Sequence, residues 1–232
     1  MTLVKICGLQ QPEHARVAID AGADLLGVIF AQSKRQLGID EARAIREVVG
    51  ERVEVLDSSV QAVTDALSVN RPLLVGVFAK QSPDEINRIA AAVDLDLIQL
   101  SGGEHPSMVE RLHRPVIRAV HVGGDSTPDS VRAELARSNA IPFLDTKSDL
   151  GGGSGEAFDW SIAATLANEE GAESAFMVAG GLTPENVATA VREIQPWAVD
   201  VSTGVETDGV KDPAKIRAFL DAVRSAQKAT TP

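Results

Sequence analysis

Two glycine-bearing segments late in the chain have the composition of an anion cradle. Gly180-Gly181-Leu182-Thr183-Pro184 precedes one helical pattern, and Ser202-Thr203-Gly204-Val205 follows the last apolar run. Small residues let backbone N–H groups close around a phosphate, and such donors need no charged side chain. Two tight turns requiring positive φ have the same composition. Near the start, Leu3-Val4-Lys5-Ile6-Cys7-Gly8 runs apolar and β-branched up to the chain's single cysteine. That reads as a short buried strand ending at Cys7, with Gly8 turning the backbone away. A thiol at a strand exit can be half-exposed in a cavity shared with other strand ends. A small buried hydrophobe is the plain alternative.

The elements that must position these groups alternate along the chain. Strand-like apolar runs occupy 25–30, 73–78, 97–100, 116–121, 142–145, 175–179 and 198–201, after the first strand at Cys7. Helical patterns fall at 12–22, 40–49 (capped by Asp40), 83–93, 107–112, 128–137, 160–168, 184–194 and 212–226. Parallel strands joined by helical crossovers produce this order. Eight such units in 232 residues predict an α/β fold, a single-domain (β/α)8 TIM barrel spanning 1–232. An open doubly wound sheet is the competitor, but no dinucleotide fingerprint follows the first strand. The stretch 50–72 is an elaborated connection, with a helical turn or two at 60–69 on the N-terminal side of the barrel. The tail 228–232 is expected to fray.

A barrel of this kind builds its site from the loops that follow the strands. The first exit offers Cys7, the second Arg35, the fourth Gln99 and the sixth Asp145. The seventh offers Gly180 and Gly181, and the eighth Asp200, Ser202, Gly204 and Glu206. Singly, Arg35 reads as a solvated charge and Asp145 as a turn cap; together they form one constellation. The glycine-rich loop with Gly152, Gly153, Ser154 and Gly155 sits between Asp145 and Phe158-Asp159-Trp160, where it can close over a substrate.

A net charge of -11 argues against nucleic acid or a membrane surface as partner. One cysteine excludes a disulfide framework, and the four histidines show no metal-ligand spacing and read as surface or strand-end residues. No apolar run approaches a membrane span, and no signal peptide precedes the first strand, so the cytoplasm is the expected compartment.

In order, the chain carries Leu3 to Gly8, Phe143-Leu144-Asp145-Thr146, Gly152 to Gly155, Phe158-Asp159-Trp160, Gly180 to Asn186, Asp200 to Glu206 and Gly209-Val210-Lys211-Asp212. This series resembles the phosphoribosylanthranilate isomerases of tryptophan biosynthesis from residue 3 to about 224. The resemblance implies a barrel without metal or organic cofactor. It implies an Amadori rearrangement of N-(5-phosphoribosyl)anthranilate, a small phosphosugar, by a monomer or homodimer. Asp145 then protonates the ring oxygen and Cys7, as thiolate, removes the C2′ proton, with a more readily ionised thiol than usual and a neutral Asp145 on substrate arrival. Lys5 can assist if it shares Cys7's face. Arg35 takes the anthranilate carboxylate, Gln99 contributes to substrate binding, and Gly180, Gly181, Ser202 and Gly204 take the phosphate.

The sequence departs from that family at Ser101 and Gly103, where a histidine and an acid are usual, and at Gln36, where an aromatic or small residue is common. Two other readings compete. One is the related aminoaldose isomerase of histidine biosynthesis, whose barrels place an aspartate at Cys7 and bind two phosphates. The other is a non-catalytic phosphate-binding barrel.

Overall fold

The computed structural model describes residues 1–146, 160–169 and 174–230. Eight parallel strands close into a barrel in chain order. They are β1 (Leu3–Cys7), β2 (Leu25–Ile29), β3 (Leu73–Phe78), β4 (Leu97–Leu100), β5 (Val116–Val122), β6 (Ile141–Thr146), β7 (Ser174–Val178) and β8 (Pro196–Val201). Closure is made where Leu3 pairs with Ala198 and Lys5 with Asp200. The helices between them are α1 (Pro12–Ala21), α2 (Ile39–Val49), α3 (Val60–Val69), α4 (Pro83–Val93), α5 (Pro128–Leu135), α6 (Trp160–Glu169), α7 (Val187–Ile194) and α8 (Pro213–Thr230). A two-stranded hairpin, β9 (Glu206–Thr207) with β10 (Val210–Lys211), separates β8 from α8.

Strand alternation divides the apolar residues into two cores. Outward residues such as Val4, Ile6, Val120 and Leu144 pack under the helices. Inward residues Leu3, Leu25, Leu73, Leu97, Ile117, Phe143 and Ala198 fill the barrel. Val63, Ala66 and Leu67 of α3 join the inner core, so the segment between α2 and β3 plugs the N-terminal mouth. Beneath that end, Asp96 accepts from Leu74 N (2.6 Å), Val53 N (2.9 Å) and Arg46 Nη1 (2.8 Å), a buried carboxylate that fixes the entry to β3. Toward the C-terminal ends, the same inward faces carry Lys5, Cys7, Gln99, His121, Asp145 and Asp200 in place of hydrocarbon.

Several boundaries differ from the sequence reading, for local reasons. Gly38, not Asp40, caps α2, and Asp40 sits in the first turn, where its charge favours the helix N-terminus. The connection after β4 is a 3-10 helix over Pro106–Arg111. Helix α7 starts at Val187 rather than 184 because Asn186 is spent on the preceding loop, accepting from Thr183 N at 2.8 Å. Helix α8 runs through Thr230; Ala226 is buried and Gln227 Nε2 donates to Thr2 O at 2.7 Å. Positions 231 and 232 lie outside the described residues, as does the loop with Gly152, Gly153, Ser154 and Gly155.

Candidate active site

Alternation on β1 places Lys5 and Cys7 on the same inward face, which answers the question the sequence left open. Lys5 is fully buried and its Nζ donates to Asp200 Oδ1 at 2.8 Å. Cys7 sits one layer above, 5% exposed, and fills the space over Gly27, where a Cβ would stand 2.7 Å from Sγ. The expected half-exposed thiol is therefore a buried one. Its ionisation also runs opposite to expectation. Burial pushes the Cys7 thiol up from its ordinary value, and the nearby Lys5 and Lys211 cations do not fully offset this. Burial opposes the charge on Lys5 too, but Asp200 and Cys7 outweigh it and the ammonium is held above the usual lysine value.

Gly8 turns the chain directly after the thiol with φ +77°, and a side chain there would meet Arg35 Cδ at 2.7 Å and Ser202 Oγ at 3.0 Å. The first, second and eighth strand exits thus converge at this glycine. Arg35 faces Glu206 in a two-pronged pair, Nε to Oε1 and Nη2 to Oε2, each 2.7 Å. Lys211 Nζ donates to the same Oε1 at 2.6 Å and to Ser202 O at 2.9 Å. The hydrogen bond and charge of Glu206 hold Arg35 above its ordinary value. Burial works against the Glu206 carboxylate, yet Arg35 and Lys211 draw it below the usual range. Burial pulls Lys211 down despite Glu206. Lys5 and Asp200 form one ion pair, and Arg35 and Lys211 share Glu206 in a separate group whose net positive charge a thiolate or a substrate anion would neutralise.

The two glycine loops meet. Gly204 packs against the Leu182 carbonyl oxygen so closely that any Cβ would collide with backbone. Gly180 and Gly181 take φ values of 91° and 63°, and Asn186 Nδ2 secures the loop by donating to Gly181 O at 2.9 Å. Among the described residues, the Gly180 and Gly181 N–H groups donate to no backbone acceptor. The positive-φ turn and these backbone N–H groups suit an anion cradle.

Asp145 lies across the barrel at the same rim, in register with His121. His121 Nε2 is 3.1 Å from Ser101 O, and Gln99 Nε2 donates to Ser101 Oγ at 2.9 Å. Gln99 is buried, and its Oε1 has no hydrogen-bond partner among the described residues. Ser101, one of the departures, is thus held from both sides. Beside Gly103, Glu104 accepts from Gly102 N at 2.9 Å and Lys80 N at 2.8 Å, so a carboxylate still ties this loop. Gln36 turns to the Phe30 carbonyl at 3.0 Å.

Sequence reasoning missed the roles of Lys211 and His121 here. The signal for Lys211 was present: Asp208-Gly209, with φ 52° and 79°, is a hairpin turn, and it sets Glu206 opposite Lys211. For His121 the inward phase of β5 was the available clue.

A family model for N-(5'phosphoribosyl)anthranilate (PRA) isomerase matches residues 4–222. The N-(5'-phosphoribosyl)anthranilate isomerase of Dehalococcoides mccartyi is 38% identical over 233 residues, covering 97% of each chain. The crystal structure of the Thermus thermophilus enzyme of that name superposes with a TM-score of 0.77 at 33% identity, over 97% of this chain and 99% of that one. A phosphoribosyl anthranilate isomerase solved in complex with reduced 1-(o-carboxyphenylamino)-1-deoxyribulose 5-phosphate gives a TM-score of 0.73 at 31% identity, over 97% and 100% of the two chains.

Proposed function

Because the chain belongs to the phosphoribosylanthranilate isomerase family, we propose that Cys7 and Asp145 carry out its two proton transfers. The reaction is the Amadori rearrangement of N-(5-phosphoribosyl)anthranilate to 1-(2-carboxyphenylamino)-1-deoxyribulose 5-phosphate, a step of tryptophan biosynthesis. Membership sets aside the histidine-pathway isomerase and the non-catalytic barrel as readings of this chain.

Asp145 donates a proton to the furanose oxygen as its bond to C1′ breaks and the anilinic nitrogen forms an iminium. The Cys7 thiolate then takes the C2′ proton. The electrons of that C–H bond flow to the iminium nitrogen and leave an enolamine, which tautomerises to the ketose. A thiol held high in pKa is ionised in only a minor fraction at neutral pH, but the thiolate that forms is a correspondingly strong base. The Lys5 and Lys211 ammonium groups are the charges that partly compensate it.

Arg35 binds the anthranilate carboxylate, and Gly180, Gly181, Ser202 and Gly204 bind the phosphate. Gln99, whose buried amide oxygen lacks a partner among the described residues, accepts a hydrogen bond from the substrate. Anchoring both ends holds the pentose between base and acid. No helix is long and apolar enough to cross a membrane among the described residues. The cytoplasm is the compartment that the single thiol and the composition favour.

The observation that supports this reading most is convergence: the sole thiol, Arg35, Ser202 and Asp145 stand at one rim of the barrel. The test is loss of anthranilate-type fluorescence on mixing the protein with freshly made phosphoribosylanthranilate. Cys7→Ser and Asp145→Asn should each abolish turnover and retain binding of the reduced product analogue. Parallel loss of binding would make either residue structural.

A further inference from the structure

Glu206 belongs neither to the acid–base pair nor to the cradle, yet it touches the residues assigned to both ends of the substrate. We propose that Glu206 is a positioning residue that sets both subsites at once: through Arg35 the one for the anthranilate carboxylate, and through Lys211 and Ser202 the phosphate cradle. The inference rests on the substrate assignment given above.

Three observations support it. First, the carboxylate occupies one edge of the Arg35 guanidinium, Nε and Nη2 at 2.7 Å each. A guanidinium presents a second edge, formed by Nη1 and the outer hydrogen of Nη2, that accommodates another carboxylate in the same plane. Glu206 therefore aims Arg35 and leaves a fork for the ligand.

Second, Glu206 is not free to leave. Its side chain is 6% exposed, and Lys211, 2% exposed, depends on it for an ion pair at 2.6 Å. Withdrawing the carboxylate would strand a buried ammonium, which is strongly unfavourable. The Asp208-Gly209 turn fixes Glu206 opposite Lys211, and Lys215 Nζ holds the Glu206 carbonyl at 2.7 Å. An exchange in which the substrate carboxylate displaces Glu206 from Arg35 is disfavoured on these grounds.

Third, the Lys211 ammonium reaches the cradle. It donates to Ser202 O at 2.9 Å and lies 3.4 Å from Ser202 Oγ. One carboxylate thus fixes, through two cations, the placement of both substrate anchors.

The experiment compares kcat and KM for phosphoribosylanthranilate with calorimetric affinity for inorganic phosphate, which needs no turnover. Glu206→Gln should raise KM about tenfold with kcat nearly unchanged, as expected for losing charged hydrogen bonds made equally to ground and transition states. It should also weaken inorganic phosphate about threefold, the smaller effect of an indirect contact. Arg35→Met should raise KM while leaving phosphate affinity intact, and in the Arg35→Met/Glu206→Gln double variant the KM effects should fall short of their product. Glu206→Asp keeps the charge and shortens the reach; it should show the same split in smaller measure, and serves if Glu206→Gln fails to fold. Unchanged KM and phosphate affinity overturn the proposal, and so does a lowered KM, which would make Glu206 a competitor for Arg35. A wild-type protein that binds phosphate but does not turn over would instead refute the substrate assignment.

Discussion

Lys5 Nζ and Asp200 Oδ1 lie 2.8 Å apart in the interior of the barrel, directly below the thiol of Cys7. Strands β1 and β8 pair there, so closing the barrel is what brings the two charges together. The pair therefore belongs to fold and site alike. Lys5→Met removes the cation nearest Cys7 and leaves Asp200 without it, costing about 3–5 kcal/mol of stability. The double variant Lys5→Met/Asp200→Asn should recover most of that loss, because a neutral pair needs no buried counter-charge. The thiol should stay higher than in the wild type in both. Because Cys7 is the only cysteine, the pH dependence of iodoacetamide alkylation reads this one group. Alkylation as fast in Lys5→Met as in the wild type would show that Lys5 does not support the thiolate.

The raised thiol gives a pH dependence of definite sign. A thiol that reacts as thiolate gains population as pH rises, so the rate of Cys7 alkylation should climb through neutrality and level off above the ordinary thiol value of 9.0. Stability should move the other way. The folded protein binds the Cys7 proton more tightly than the unfolded chain, so this contribution is complete below the unfolded thiol pKa and is lost as pH rises through the folded one. Glu206 is the opposite case: its depressed carboxyl adds stability above the unfolded value, and this is lost as pH falls through the folded pKa. Cys7→Ala should flatten the alkaline decline in denaturant-measured stability and leave the acid side unchanged. An alkylation rate already flat at neutral pH would contradict a buried, high-pKa thiol.

How much of this was legible in the sequence follows from how local each feature is. The runs at 73–78, 83–93 and 97–100 gave the bounds of β3, α4 and β4, because unbroken apolar runs and a Ser-Pro helix start leave few alternatives. The strand exits placed Cys7, Arg35, Asp145 and both glycine loops at one rim, since parallel order alone dictates it. What escaped depends on distance in three dimensions. Arg35 meets Glu206 across 171 positions of sequence, and no periodicity reports such a partner. The thiol's ionisation was misjudged for a related reason: a favourable neighbour, Lys5, is visible in the sequence, but the extent of burial that outweighs it is not. The 3-10 helix at Pro106–Arg111 carries the pattern of an ordinary crossover helix, for its apolar residues Met108 and Val109 pack on the outer core in either form.

At the N-terminal end of the barrel, Asp96 offers a control remote from the chemistry. It accepts from Leu74 N at the entry to β3, from Val53 N in the connection before α3 and from Arg46, so Asp96→Ala deprives two backbone donors and a buried guanidinium of their carboxylate partner. The expected cost is about 3–5 kcal/mol in urea unfolding. KM for the folded fraction should not change, because the C-terminal rim carries none of these bonds. A stability loss below about 1 kcal/mol would mean that water replaces the carboxylate freely.

Gly204 tests the cradle without touching a charge. Any side chain there would press into the Leu182 carbonyl oxygen and toward Thr183 Cα, 3.2 Å from the added carbon. Backbone cannot rotate away as a flexible side chain can, so Gly204→Ala must part the seventh and eighth loops. Overpacking of this kind costs about 1–3 kcal/mol, visible as a lowered melting temperature. The larger effect should fall on the phosphate. Donors set a few tenths of an ångström apart lose their common focus, and inorganic phosphate should bind about tenfold more weakly. Binding of free anthranilate, which depends on Arg35 and not on these loops, should be unchanged. If phosphate binds Gly204→Ala as tightly as the wild type, the two loops do not form a single anion site, and the phosphate must be held elsewhere on the rim.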